Sequence, residues 1–311
     1  MTAASRYALR APRESDFERV AEILVADELD DAGQVILGAD FLRSEWGEVG
    51  FDLATDAWVV LDDKGSILGY GQARRAEPEV VESWGVVDPA CRGRGFGAAL
   101  FDRIEARATG MLAGSSQGRF RHSINAADDA AADMLAARGL RLLRHHWHME
   151  VVLPVPPEPR VDPPGVSVEA FDPGSDLPGL VAVLDEALAD DRSYRRGRFG
   201  EWAGEEMSSP TYDPALWQVA RVDGTLVGAV TAEASAEGWV SFLGVLAAAR
   251  GRGIGTALLH HLFATLADRG APRALVNVDA GNPSRAIAVY EGAGMRVVKR
   301  WDLWERTRRV D

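Results

Sequence analysis

The chain has 311 residues, more than the roughly 100 to 150 of one typical core, so two domains are expected. Forty-seven acidic against 34 basic residues give a net charge of −13, which leaves broad nucleic-acid or anionic-membrane binding without electrostatic support and suits a cationic small substrate. A single cysteine excludes an internal disulfide, and no run nears the roughly 18 apolar residues of a bilayer span.

In chain order, the opening MTAASRYALRAPRESDF lacks a basic segment leading into an apolar core, so a cytoplasmic location is expected. A short strand at Tyr7 to Arg10 precedes a helical pattern in FERVAEILVADEL. Two strands follow in AWVVLDDKGSILGYGQARR, turning at Asp63 to Gly65, and VVESWGVV adds another. Next stands CRGRGFGAALF, from Cys91 to Phe101, and then SINAADDAAADMLAARGL and the strand LRLLRHHWHMEVVL.

The stretch LPVPPEPRVDPPG holds six prolines without apolar periodicity, as in an extended, semi-rigid linker. It divides the chain into a first domain at 1–153, a linker at 154–165 and a second domain at 166–311. The second half repeats the first. A strand at Val166 to Phe171 and the helix LPGLVAVLDEALAD precede WQVARVDGTLVGAVTAEAS, whose Asp223-Gly224 marks a hairpin. Then come GWVSFLGVL and ARGRGIGTALL, the near-copy of the first glycine phrase. A helix continues through Leu258, Leu262 and Leu266 to Gly270. A strand at Ala274 to Val278, a helix opened by Asn282-Pro283 and the strand MRVVKRWDLWE complete it. Asp191 to Pro214 shows no stable period. The fold class expected is α/β: in each domain a mixed, mostly antiparallel sheet in the order β-α-β-β-β-α-β-α-β, with helices on its faces.

Closely spaced glycines between a strand end and a helix start leave backbone N–H groups unpaired beside the positive end of the helix dipole, which favours an anion. Phosphate loops of the G-x-x-x-x-G-K-[ST] type are absent, since no lysine follows either phrase. The dinucleotide pattern G-x-G-x-x-G/A fits Gly93, Gly95 and Ala98 but fails at Thr256, and both phrases lie deep in their domains. Two glycine-rich turns without a ligand are the structural alternative.

The pattern R-x-x-G-x-G resembles the acetyl-CoA motif of the GCN5-related N-acetyltransferases (GNATs). It occurs as Arg92, Gly93, Arg94, Gly95, Phe96, Gly97 and again as Arg250, Gly251, Arg252, Gly253, Ile254, Gly255. NVDAGNPSRAIAVYEGAGMRVV in the second half is similar to the family's next segment, with Asn282, Ser284, Tyr290, Gly294 and Met295. The resemblance implies two tandem GNAT domains, each with a splay between its fourth and fifth strands. It implies that the pantetheine of acetyl-CoA pairs with the strand end at Leu243, Gly244 and Val245, and that the pyrophosphate lies on the amides from Arg250 to Thr256. Val87 and Arg92 to Ala98 are the first-half equivalents. Asn282 reads as a helix cap that by itself needs no ligand; the resemblance implies that, with Ser284, it also touches the cofactor.

The same resemblance makes Tyr290 the acid that protonates the leaving thiolate; its bland reading is a core aromatic beside Ala286 and Ile287. In the first half Leu135 stands at that place, and Asn125 precedes it by ten residues instead of eight, so catalysis is assigned to the second half. Many GNATs carry a glutamate eleven residues before the motif arginine, where this chain has Trp239 and Val81. Glu237, two residues earlier on the same strand face, is the base candidate through a water, and Glu233 lies on the preceding strand. No metal is expected: His146 and His148 share a strand face without a supporting carboxylate or thiol pattern, and Cys91 lacks a base. The expected activity is acetyl transfer to a small-molecule primary amine, by a monomer or homodimer, without nucleic-acid or membrane partners. A non-catalytic acyl-CoA sensor or scaffold is the alternative.

Overall fold

The computed structural model describes residues 7–155, 162–189, 198–209, 212–234, 237–281 and 286–307. The chain divides into two compact units, one of residues 1–145 with 299–311 and one of residues 146–298. The first contains strand β1 (Ala8–Arg10), helices α1 (Phe17–Ala32), α2 (Ala39–Trp46) and α3 (Leu53–Asp56), and strands β2 (Ala57–Leu61), β3 (Ile67–Glu77) and β4 (Val80–Val87). Helix α4 (Phe96–Met111), strand β5 (Arg119–Asn125) and helix α5 (Asp129–Ala137) follow, and β6 (Arg141–Val152) starts here and ends in the second unit.

The second unit contains β7 (Val166–Ala170), α6 (Leu177–Ala187), α7 (Arg198–Glu206), β8 (Gln218–Val222), β9 (Thr225–Ala234), β10 (Gly238–Val245), α8 (Ile254–Asp268), β11 (Arg273–Asp279) and α9 (Ala286–Gly292). Strand β12 (Arg296–Thr307) begins there and ends in the first unit. Both units have the same ladder. In the first, β1 to β4 pair antiparallel in order and β4 pairs parallel with β5; in the second, β7 to β10 do the same and β10 pairs parallel with β11.

The last strand of each sheet comes from the other half of the sequence. Trp301–Thr307 of β12 pair antiparallel with β5, and His146–Val152 of β6 pair antiparallel with β11. The units are therefore not the contiguous stretches on either side of the proline-rich segment. Charges on the exchanged strands match their hosts. Arg121 meets Glu305 at 2.9 Å and Lys299 pairs with the buried Glu28 in the first unit; Glu150 meets Arg296 at 2.9 Å and Arg273 at 3.3 Å in the second. Apolar alternation marks a strand but carries no information on which of two similar sheets it joins.

Local rules account for the hairpins. Asp223 and Gly224 both have positive φ, at 49° and 76°, as a two-residue type I′ turn demands. Asp62 Oδ1 accepts from the amides of Lys64 and Ser66 in the other turn. Helix α8 buries Ile254, Leu258, Leu259, Leu262, Phe263 and Leu266 against its sheet, each such side chain contributing about 1.5–3 kcal/mol. Helix α7 lies within the stretch that showed no period: it buries Phe199 and Ala203, too few positions in one short helix to set a rhythm.

Candidate active site

In the second unit, pairing between β10 and β11 covers only Gly238 to Val240 against Ala274 to Val276, although the strands run on to Val245 and Asp279. Beyond Val240 the two part, and the β11-facing edge of Ser241 to Val245 is left without a ladder partner. A bulge at Ser241, between the pairs Val240–Ala232 and Phe242–Thr231, turns β10 at that point. In the first unit β4 and β5 pair only from Val80 to Trp84, leaving Gly85 to Val87 free on the same side. Both gaps lie between the fourth and fifth strands of their sheets.

Each gap opens beside a glycine phrase. Gly251 and Gly253 take φ of 77° and 80°, and Gly253 caps α8 without any side-chain acceptor. Gly93 and Gly95 do the same before α4, at 75° and 86°. These left-handed positions explain the glycines, because a Cβ there clashes with the backbone. No acceptor among the described residues takes the amide N–H groups of residues 251–256 or 93–98. A run of bare amides at the positive end of a 15-residue helix suits a diphosphate.

The two loops differ in their surroundings. Arg250 donates to the carbonyls of Val245 and Ala187, at 3.0 Å each, and Arg252 to that of Pro164 at 3.3 Å. Neutral partners leave both cations' charge uncancelled beside the loop. Arg92 instead meets three carboxylates of α1, Asp27 at 2.5 Å, Asp30 at 2.7 Å and Asp31 at 3.4 Å. Burial, opposed by the Arg92 hydrogen bond and reinforced by Asp31, pushes the Asp27 carboxyl up to about 6. The first loop thus has an acidic collar that the second lacks among the described residues. Arg94 extends over the Phe96 ring.

Helix α9 closes on the second gap. A Cβ built at Gly255 would stand 2.9 Å from Val289 Cγ1 and 3.9 Å from both Leu243 and Val245, so the start of α8, the end of β10 and α9 converge there. Tyr290 follows Val289 and is 6 % exposed. Burial pushes its phenol above the ordinary tyrosine value of about 10, and its oxygen has no hydrogen-bond partner among the described residues. The Met295 amide donates to the Tyr290 carbonyl as the Leu140 amide does to that of Leu135; the two positions are equivalent, and the first unit has no phenol. Asn282 and Ser284 lie outside the described residues.

The acid and base candidates of the sequence are not brought together. Glu237 accepts from Arg273 Nε at 2.8 Å, at the entry of β10 and roughly 20 Å along the strand from Leu243. Glu233, by contrast, faces Trp239 across the β9–β10 ladder and accepts from Ser241 Oγ at 3.4 Å, beside the bulge. Glu206 of α7 stands close enough that burial and the Glu233 charge raise its pKa. Phe199 and Trp202 of α7 pack edge-on against Phe242, each with ring centres 4.8 Å away. Glu206, Ser241 and Thr231 were not singled out from sequence, because only the register places them together. The first unit fills the corresponding face itself: Trp46 donates to Tyr70, Tyr70 to Gln72, and Gln72 and Trp84 both to Glu45, at 2.5–3.1 Å.

A sheet that opens next to a bare helix start, built twice in one chain, defines a transferase of the acyl-CoA-using class. The family model described as "Acetyltransferase (GNAT) family" matches residues 19–117 and 182–295, and the chain belongs to that family of acetyltransferases, which use acetyl-CoA as co-substrate. It is 34% identical over 252 residues to the mycothiol acetyltransferase of Streptomyces coelicolor, covering 79% of this chain and 77% of that protein. The Streptomyces avermitilis protein of the same name is 34% identical over 260 residues, 80% and 79% of the two chains. Among solved structures, a GCN5-related N-acetyltransferase from Sphaerobacter thermophilus superposes with a TM-score of 0.83 at 27% identity, over 98% of this chain and 97% of that one. A tandem GNAT protein of the clavulanic acid biosynthesis pathway shares the fold, with a TM-score of 0.63 at 16% identity over 98% and 100% of the chains.

Proposed function

We propose that the second unit transfers the acetyl group of acetyl-CoA to a primary amine of a small molecule by direct attack. The observation that carries this reading is the convergence at Gly255 of the β10 gap, the bare amides 251–256 and Val289 of α9, the helix that also carries Tyr290. In it, Leu243 to Val245 hold the pantetheine arm, and Arg250, Gly251, Arg252, Gly253, Ile254, Gly255 and Thr256 frame the diphosphate. Tyr290 serves as the acid toward the departing sulfur. With its pKa raised, the phenol stays neutral through the working range, so it can give a proton and adds no charge to the gap. Asn282 and Ser284 remain proposed cofactor contacts.

The first unit, with Leu135 in place of the phenol and Arg92 cancelled by carboxylates, is proposed to be non-catalytic and to bind acetyl-CoA more weakly through Val87 and Gly93 to Ala98. Glu237, held by Arg273, is not retained as the base. The relatives' name makes a mycothiol-type acceptor the first to try. In Tyr290→Phe, kcat for amine-dependent release of free CoA thiol is expected to fall about 10²- to 10⁴-fold, with calorimetric acetyl-CoA affinity unchanged. Full activity in this variant removes the acid assignment. Binding of acetyl-CoA without turnover on any amine supports a sensor instead.

A further inference from the structure

Resting on the transfer reading above, we infer that Glu233, backed by Ser241 and Glu206, receives the acceptor's amine as an ammonium ion and takes its proton. The acceptor class is thereby narrowed to primary amines that are charged at neutral pH. Three elements build the place. Glu233 projects from β9 on the face it shares with Trp239, Ser241 sits on the β10 bulge where that strand leaves β11, and Glu206 comes from the end of α7. Two carboxylates near enough to feel each other's charge, with one hydroxyl and no cation hydrogen-bonded to them among the described residues, form an acidic face that a cation completes. Trp239, edge-on to His148 at 5.8 Å, and the Trp202–Phe242 pair give it apolar walls.

A second observation points to a missing partner. Thr231 lies two residues from Glu233 on the same face of β9, opposite Phe242; it is fully buried, and its Oγ1 has no hydrogen-bond partner. Buried hydroxyls are seldom left so unless something else supplies the bond. In the first unit Gln72 holds the matching position, opposite Trp84, and is satisfied on both sides by Tyr70 at 2.6 Å and Glu45 at 2.5 Å. The first unit closes this place with its own side chains. The second leaves a polar atom facing it.

The chemistry balances without a further reagent. The ammonium gives one proton to the Glu233 carboxylate; the freed lone pair forms the N–C bond to the thioester carbon. As the adduct collapses, the C–S electron pair leaves on sulfur, which takes a proton from Tyr290. The nitrogen loses its second proton, which restores the phenol, and Glu233 passes its own to water, so one proton is released per amide formed.

The test uses the full chain saturated with CoA and titrated calorimetrically with ethanolamine, glucosamine and spermidine, N-acetylglucosamine serving as the neutral control. At least one ammonium probe is expected to bind, and Glu233→Gln to weaken it tenfold or more while acetyl-CoA affinity, which reports folding, stays within twofold. No binding of any ammonium probe to the wild-type protein, or equal binding to E233Q, overturns the assignment. Glu233-dependent binding without acetylated product leaves this site standing and removes the transfer reading. Product formed at an unchanged rate by E233Q does the reverse.

Discussion

Replacing Gly255 by alanine tests the convergence at the gap with a single methyl group. Its Cβ would lie 2.9 Å from Val289 Cγ1, inside the roughly 3.5–4.0 Å optimum for carbon atoms, and neither side is a flexible chain end. Overpacking of this kind costs about 1–3 kcal/mol, which for a unit of this size lowers Tm by about 2–10 °C. The strain is relieved by moving α9, and Tyr290 with it. A shift of a few tenths of an ångström at an acid is expected to lower kcat about tenfold while acetyl-CoA affinity changes less than threefold. The internal control is Gly97→Ala, where the nearest atom, Val87 Cγ2, is 3.8 Å away. With room for the methyl, that change is expected to stabilise by about 0.4–1 kcal/mol. Thermal melts, calorimetry and CoA-thiol release on the two variants and on Gly255→Ala/Val289→Ala give the answer. A neutral Gly255→Ala, or a double variant that regains no part of the loss, refutes the reasoning.

Arg273→Ala removes one of the ion-pair partners of the buried Glu150; loss of one partner of a buried ion pair costs about 3–5 kcal/mol, to be seen as early melting of the second unit. Asp27→Asn removes a carboxyl whose pKa is raised to about 6 in the folded chain. The folded state there holds more protons than the unfolded one, so stability falls as pH rises from about 4 to 6, and the variant is expected to flatten that slope in melts run across the window. Leu135→Tyr in a Tyr290→Phe background is expected to restore no transfer, because the acidic collar and the filled face of the first unit remain. At a fully buried position it also costs about 1–3 kcal/mol.

Much of the fold was readable from local chemistry. The Asp-Gly turns, the leucine spacing of α8 and the glycine phrases each obey rules that act within a few residues, and the duplication shows as repeated text. The exchange of β6 and β12 was not readable, since both strands carry the same alternation and either sheet edge accepts it. Helix α7 was missed because it buries few positions, and with it Glu206 and Trp202. Glu237 illustrates the limit at the site. Counting residues assigns it to a strand face, yet it stands just before β10 begins, its partner Arg273 comes from β11, and only the parallel register brings the two together. Thr231 carries no sequence signal at all: it stands out because a buried hydroxyl lacks a partner.

Hydrogen–deuterium exchange on the full chain, with and without acetyl-CoA, bears most directly on the site. Amides 251–256 are expected to gain protection together with the peptide spanning Ser241 to Val245, at acetyl-CoA concentrations that leave residues 93–98 little changed. Unchanged exchange across 251–256 at saturating acetyl-CoA, or protection confined to 93–98, would place the acetyl donor elsewhere.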